Sequence, residues 1–429
     1  MEAVQEQKEK DINKINKVNQ RAYIIESMLE YFISILTSGA YLAKLTTTIG
    51  ISDGMTAILS SIASLAAMFQ IISIFLAHKT PVKRWVLPTT VIPQALVATL
   101  YLIPFLKVGA AAPILFFAIS LINQAAHNIV APPKYDWFLS PVEPEKRGDF
   151  QAKISLVSII GGMIFTFITG LTIDKFEEKG NLNALFLILS IVIFVIAILQ
   201  MFCLIFAKSS PLEVEKKESP FKSVKTVLKN KAFVQILILN SIWAVANNIT
   251  TPFLSTYQIK ELGFSMSFIS TVTVILSFVN MLAVFAAGKY STKHSYSSIF
   301  KLSFVFALIC FGIITFTNAS NGYVLFTIYR VVNLLFGATL GVSSTSLIFA
   351  VVKDGERTSA IAFKSIITGL FGFVTTLIVS PIFTKLQNAS ITVFGINLFA
   401  QQILAFISFA ITALLLIYYQ FIADKSIPH

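Results

Sequence analysis

LFLILSIVIFVIAILQMFCLIFA, residues 185–207, contains no charged side chain, and beside Cys203 its only polar ones are Ser190 and Gln200. As an α-helix rising about 1.5 Å per residue it would reach about 34 Å. The hydrocarbon core of a bilayer is about 30 Å thick, so this run is long enough to cross it. A second such run, LSFVFALICFGIITFTNASNG, covers residues 302–322. The bias extends to the whole chain: 55% of its 429 residues are hydrophobic and 13% are charged, with a mean hydropathy of +0.78. Soluble domains carry about 25% charged residues. The sequence therefore specifies an all-α polytopic membrane protein, with the lipid bilayer as its first partner.

Working outward from these runs predicts twelve spans, at 22–47, 54–77, 85–106, 112–133, 153–173, 183–207, 232–256, 265–288, 297–317, 322–352, 361–384 and 394–422. They divide into a cytoplasmic N-tail (1–21), an N-terminal six-helix bundle (22–207), a central cytoplasmic loop (208–231), a C-terminal six-helix bundle (232–422) and a C-tail (423–429). Lys and Arg accumulate on the cytoplasmic side of membrane proteins. With the N-terminus inside, 26 of the 33 Lys and Arg fall in the tails and in the loops and helix ends after even-numbered spans. Lys44, Lys107, Lys175, Lys179, Lys260 and Lys385 are the six on the other side, and Arg330, deep in span 10, is the one left over. Both termini are thus expected in the cytoplasm, and the protein in the plasma membrane. A net charge of +12 would suggest nucleic acid on a soluble protein, but these loops account for it, and no nucleic-acid partner is expected.

Other classes are argued against by what the chain lacks. The first 20 residues hold no apolar core of the kind a cleaved signal needs. Cys203 and Cys310 both lie inside apolar runs, so neither a disulfide nor a metal cluster is expected. The four histidines (His78, His127, His294 and His429) are not at ligand spacing, which argues against a metal-dependent membrane enzyme. No Gly-x-x-x-x-Gly-Lys motif is present for nucleotide binding. A monomer without cofactor, acting on a small molecule and not as an enzyme, is the expectation.

The two halves also repeat each other. EKRGDFQAK (145–153) follows span 4 and GERTSAIAFK (355–364) follows span 10, with Arg147 and Arg357 210 residues apart. LAHKTPVKRW (76–85) follows span 2 and AGKYSTKHSYSS (287–298) follows span 8, with Lys79 and Lys293 214 apart. Two six-helix halves joined by a charged loop mark a parallel-repeat transporter. Over nearly its whole length the chain resembles the major facilitator superfamily. PEKRG (144–148) is similar to that family's Pro-Glu-x-x-Arg-Gly signature, one residue shorter. The loops after spans 2 and 8 resemble its Gly-x-x-x-Asp-Arg-x-Gly-x-Arg-Arg signature in a degraded form. Gly288 and Lys293 fit, but the acidic place is Thr292, and in the first half it is His78, with Pro81 at the second glycine place. The resemblance implies a cytoplasmic gate built from Lys79, Arg84, Glu145, Arg147, Lys293 and Arg357, with the acid of the usual latch missing. SIIGGMIFTFITG in span 5 lacks the Gly-Pro signature of the family's drug antiporters. The resemblance also implies that spans 1, 4, 7 and 10 surround a central cavity.

Read independently, the strongest polar stripes fall on those four spans. Span 1 carries Glu26, Glu30, Ser34, Thr37 and Tyr41 on one helical face. Span 4 carries Asn123, Gln124 and His127, span 7 Asn240, Trp243 and Asn247, and span 10 Arg330, Asn333, Gly337, Gly341 and Ser344. Arg330 lies about 12 Å in from the predicted outer end of its span at about 1.5 Å per residue. A charge that deep costs about 2.5–3.5 kcal/mol on insertion scales and needs a partner or a wet cavity. It is expected to bind substrate, against the plainer role of a structural ion pair. Glu26 and Glu30 are the only acids inside a predicted span. Two carboxylates one turn apart cannot both ionise cheaply, as a proton-carrying site requires. Glu26, Glu30 and His127 are therefore the expected proton- or cation-coupling residues, although Glu26 lies close enough to Arg21 for an interfacial pairing. Arg330, Asn333, Asn240, Trp243, Asn247, Asn123, Gln124 and Thr37 are the expected substrate-binding set. Gly161, Gly162, Gly337 and Gly341 read as sites of close helix packing, and Pro88, Pro93 and Pro104 as a kink in span 3. The leading reading is a proton- or cation-coupled secondary transporter importing a sugar or small organic anion. Export of drugs or metabolites, or a non-transporting sensor or lipid-handling role on the same scaffold, stays open.

Overall fold

The structure is a computed structural model describing residues 2–72, 82–106, 109–139, 142–207, 226–353, 356–389, 391–393 and 396–423. Most of the expected central loop (208–225) and of the C-tail (424–429) lies outside the described residues. Among the described residues, eleven helices are long and apolar enough to cross a membrane. They are span 2 (Asp53–Ile72), span 3 (Lys83–Phe105), span 4 (Gly109–Leu139), span 5 (Arg147–Glu178), span 6 (Leu182–Phe206), span 7 (Lys231–Lys260), span 8 (Met266–Ser291), span 9 (Tyr296–Phe316), span 10 (Gly322–Val351), span 11 (Ser359–Asn388) and span 12 (Ala400–Phe421).

The expected first span is two helices, Glu2–Leu36 and Gly39–Thr48. The hydroxyls of Thr37 and Ser38 donate back to the carbonyls of Ile33 and Ser34, at 3.0 and 2.6 Å, offering the backbone an alternative to the helical ladder. Gly39 then takes φ +54°, a left-handed conformation that glycine adopts without strain. Its two acids and this break keep span 1 from being a continuous apolar helix. The helix also begins at Glu2, so the polar N-terminal stretch is helical where it was expected only as a tail. At the other end, a short hairpin pairs Thr392–Val393 with Ile396–Asn397, and the last helix starts at Ala400, later than expected.

The chain forms two compact units, Met1–Tyr41 with Phe69–Lys216 and Leu42–Met68 with Lys217–His429. In the first, span 1 packs along spans 5 and 6, and span 3 along spans 4 and 6. Pro88 and Pro93 lie inside span 3, where they cannot donate to the ladder, and the span continues as a 3₁₀ helix from Ala98 to Phe105. Span 4 was expected to stop at Pro132-Pro133 and instead runs on to Leu139. Trp137 and Phe138 in the extra turns are 1% and 5% exposed. The Phe138 ring stacks on Tyr23 with centroids 3.9 Å apart, and Trp137 meets Tyr23 edge-on at 5.6 Å. That aromatic burial outweighs the local cost of two prolines.

In the second unit, span 2 lies along span 11, spans 7 and 9 along span 12, and span 10 between spans 8 and 9. Ser52, Asn230, Ser265 and Ser295 cap spans 2, 7, 8 and 9 by accepting from backbone N–H groups of the first turn. Asp53, buried at the start of span 2, accepts from Lys260 Nζ at 2.5 Å and from Gln387 Nε2 at 2.8 Å. Lys260 itself is 41% exposed. Lys260→Met is therefore expected to lower stability by only about 1 kcal/mol, the cost of leaving Asp53 with Gln387 and the helix N-terminus. Thermal unfolding in detergent measures this. The other face of many helices, such as Ile160, Ile164 and Ile168 of span 5, is half exposed and apolar, as a lipid-facing surface must be.

Candidate functional site

In the first unit, spans 1 and 4 meet through charge. Glu26 and Glu30 lie one helical turn apart on span 1, and His127 and Lys134 two turns apart on span 4, so each pair shares a face. Lys134 Nζ stands 2.9 Å from Glu26 Oε1 and 2.6 Å from Glu30 Oε2. His127 Nδ1 stands 3.1 Å from Glu30 Oε1. Gln200 of span 6 approaches Glu26 Oε1 with its amide nitrogen at 3.5 Å. Side-chain exposure rises along this chain of contacts, from 0% at Glu26 and 8% at Lys134 to 20% at Glu30 and 50% at His127.

Two hollows flank Glu30. The larger, about 120 Å³, is lined by Glu30, His127, Lys134, Ser27, Tyr135 and Gln151 among others. The smaller, about 10 Å³, holds Glu30, His127, Asn123, Thr90 and Gln94 in its wall and has room for about one water molecule. Asn123 therefore shares a hollow with the carboxylate, while the backbone carbonyl of its neighbour Gln124 accepts from Asn128 at 2.9 Å.

Lys134 is the residue that sequence reading misplaced. It counts as a loop charge if span 4 ends at 133, yet it is 6% exposed inside the helix. Glu26 and Glu30 are consequently not an isolated carboxylate pair, because one ammonium lies between them. The proposed pairing of Glu26 with Arg21 gives way to Lys134 for the same reason. With a neutral imidazole the four side chains carry one net negative charge, and with an imidazolium they carry none.

In the second unit, Arg330 donates from Nη2 to Thr273 Oγ1 of span 8 at 3.1 Å, and no carboxylate among the described residues contacts it. Trp243 packs among Phe304, Phe311 and Phe336, with ring centroids 5.9, 5.9 and 4.6 Å away. Asn240 is buried and donates to the Ile236 carbonyl at 2.7 Å, and its Oδ1 lies 3.4 Å from Ser344 Oγ. Asn247 accepts from Thr251 at 2.9 Å, and Asn333 is exposed. Thr37 is turned onto Ile33 at the break in span 1.

The family model of the Major Facilitator Superfamily matches residues 24–376. The chain belongs to the major facilitator superfamily. Solved structures of similar fold include the nucleoside transporter NupG, at 16% identity and TM-score 0.69, covering 95% of this chain and 98% of that one. A D-xylose-proton symporter aligns at 12% identity and TM-score 0.71, over 96% and 98% of the two chains. A bacterial homologue of the human lysosomal transporter Spinster, inward-facing and unoccupied, aligns at 13% and TM-score 0.66 over 97% of each. At these identities the likeness is one of fold. No curated protein matches the sequence.

Of the gate residues that membership in the superfamily points to, Lys79 lies outside the described residues. Arg84, Glu145 and Lys293 are exposed. Arg147 and Arg357, equivalent in the internal repeat, each donate to a backbone carbonyl. Arg147 Nε donates to the Val142 carbonyl at 3.3 Å, and Arg357 Nη2 to the Phe349 carbonyl at 2.9 Å, with its guanidinium 4.9 Å over the Phe349 ring. Each arginine thus sits on carbonyls at or just past the end of the preceding span, where a cation complements the helix dipole.

Proposed function

We propose that this member of the superfamily is a secondary active transporter that imports a small solute, a sugar or small organic anion, together with protons. The observation that carries the reading is the buried Glu26–Lys134–Glu30–His127 network opening onto a cavity at its His127 end. A proton entering at His127 or Glu30 removes the network's one net charge. A neutral cluster moves through a low-dielectric interior at far less cost than a charged one. Glu26 Oε2 and Gln200 Oε1 are both buried acceptors without a donor among the described residues, so the site has an unmet demand for a proton donor. Transport would follow by alternating access around a midplane site. Arg330, whose hydrogen bond among the described residues goes to a neutral hydroxyl, remains available to substrate, with Asn123, Gln124, Asn240, Trp243, Asn247, Asn333 and Thr37 as further candidates. Both termini are assigned to the cytoplasm and the protein to the plasma membrane. Moving Lys134 out of the loops leaves the Lys and Arg asymmetry intact, and the gate residues Lys79, Arg84, Glu145, Arg147, Lys293 and Arg357 then lie on the cytoplasmic side. The D-xylose-proton symporter supports the coupling by fold-level analogy.

The test is uptake by the full-length protein in proteoliposomes under an imposed pH gradient, with xylose, glucose, uridine and succinate as solutes. At least one solute should accumulate, and an uncoupler should abolish its accumulation. Glu30→Gln should lose gradient-driven accumulation but keep solute exchange across the membrane. Accumulation indifferent to both the uncoupler and Glu30→Gln sinks the proton-coupled reading. Arg330→Gln should raise KM for the accumulated solute about tenfold if a charge-assisted bond is lost.

A further inference from the structure

Lys364 is a second intramembrane cation in the second unit, and neither the coupling network nor the gate uses it. It lies in span 11, half-buried, and donates to Ser344 Oγ at 3.0 Å. Ser344 Oγ in turn lies 3.4 Å from Asn240 Oδ1. Spans 7 to 12 contain no Asp or Glu at all, so no carboxylate within them can neutralise this ammonium.

The side chain also points the wrong way for a surface lysine. Lysines near helix ends normally reach out to the interface. Asn230 Nδ2 donates to the Val351 carbonyl at 2.6 Å, which sets the start of span 7 level with the end of span 10. From that level Ser344 lies about 10 Å in and Asn240 about 15 Å in, while the Lys364 backbone is about 8 Å in from Ser359, at about 1.5 Å per residue. The ammonium therefore reaches inward, to at least the depth of its own backbone, and donates to a buried hydroxyl.

The internal repeat explains what this place is. The 210-residue offset that relates Arg147 to Arg357 also relates Glu30 to Asn240, Lys134 to Ser344 and His127 to Gly337. The geometry agrees, since Asn240 and Ser344 touch as Glu30 and Lys134 do. In the second unit the carboxylate has become an amide, the lysine a serine and the histidine a glycine. Into this neutralised copy span 11 delivers a lysine. A Cβ added at Gly337 or Gly341, on the same face of span 10 as Ser344, would meet nothing within 4 Å. One copy of the site pairs its lysine with two carboxylates; the other presents a cation, an amide and a hydroxyl beside open space.

We propose that Lys364, Ser344 and Asn240 form a binding site for the anionic group, a carboxylate or phosphate, of the transported solute. The ammonium supplies the charge, and Asn240 and Ser344 orient the oxygens. This rests on the reading that the chain carries a small solute, and it narrows that solute to an anion. Arg330, 14 residues before Ser344 on span 10 and so about 21 Å along the helix, belongs to a different station.

The test uses purified full-length protein in detergent and reads melting temperature and calorimetric binding. Succinate, gluconate, inorganic phosphate and glucose 6-phosphate are the anionic probes, and glucose and uridine the neutral ones. At least one anion should raise the melting temperature of the wild type. Lys364→Gln should weaken that anion's binding at least about tenfold, while Lys364→Arg retains it. The carboxylate and phosphate arms tell which group the site takes. Without ligand, Lys364→Gln should melt no lower than wild type, because it removes an uncompensated charge. Failure of every anion to stabilise, equal anion binding by Lys364→Gln, or loss of fold in Lys364→Gln would each overturn the proposal. Proteoliposome uptake separates it from the broader reading. An anion bound through Lys364 but never transported leaves the site standing and removes the transporter. A neutral solute carried equally by wild type and Lys364→Gln does the reverse.

Discussion

Lys134→Met is expected to lower the stability of the detergent-solubilised protein by about 3–5 kcal/mol, the usual cost of removing one partner from a buried ion pair. Two carboxylates would be left where Lys134 Nζ now lies within 2.9 Å of both. Glu26 is fully buried, and among the described residues its carboxylate would keep only the 3.5 Å contact of the Gln200 amide. The size of the effect separates two pictures of this residue. A lysine in a loop can be replaced at a cost within about 0.5 kcal/mol. A second variant isolates the cause. Glu26→Gln combined with Lys134→Met removes one charge of each sign and preserves the net charge of the network. It should recover most of the loss, since balanced removal of a buried pair is often close to neutral. Paired melting curves of the single and double variants read this directly. A single variant that melts with wild type would mean Lys134 is solvated, and a double variant no better than the single would mean the damage is to packing.

Lys134 also shows where the sequence was legible. The bilayer forces long apolar runs and a bias of basic residues to one side, so most of the spans can be read from composition alone. Ionisable residues inside such runs are rare enough that Glu26, Glu30 and His127 stand out unaided. What neutralises them is a contact between residues 104 and 108 positions apart, which no local pattern encodes. Pro132-Pro133 argues for a helix end, and only the stacking of Phe138 and Trp137 on Tyr23 carries the helix past it. Lys364 was obscured in a similar way. It follows a loop closely enough to be counted with it, and periodicity gives no sign of whether a lysine near a helix end turns outward or inward. The break in span 1 was visible in Thr37-Ser38-Gly39, but polar residues on one face read more readily as a stripe than as a stop.

Glycine substitutions in the second unit should divide by sign, and against the expectation that Gly337 and Gly341 are packing sites. Gly369 of span 11 faces the backbone of span 2, where an added Cβ would overlap the Ser64 carbonyl oxygen. A carbonyl cannot rotate aside like a side-chain tip, so the two helices must part. Gly369→Ala is therefore expected to cost about 3 kcal/mol, the upper part of the usual range for overpacking. Gly372 and Gly54 are crowded differently, by the Asn248 amide and the Ser380 hydroxyl, each 2.6 Å from where the new methyl carbon would sit, and these neighbours can yield in part. Gly337 and Gly341 meet nothing within 4 Å. Alanine at either should stabilise span 10 by about 0.5–1 kcal/mol, because glycine in a helix forfeits backbone entropy that alanine keeps. Unfolding measurements on Gly369→Ala and Gly341→Ala in the same detergent decide the matter. Opposite shifts would establish that spans 2 and 11 are in backbone contact while the face of span 10 is open. Equal losses at the two positions would mean that a helix packs on Gly341 after all, and would close the space that an anion beside Lys364 requires. A third pattern, a stabilised Gly341→Ala protein with weakened anion binding, would place that glycine on the solute's path.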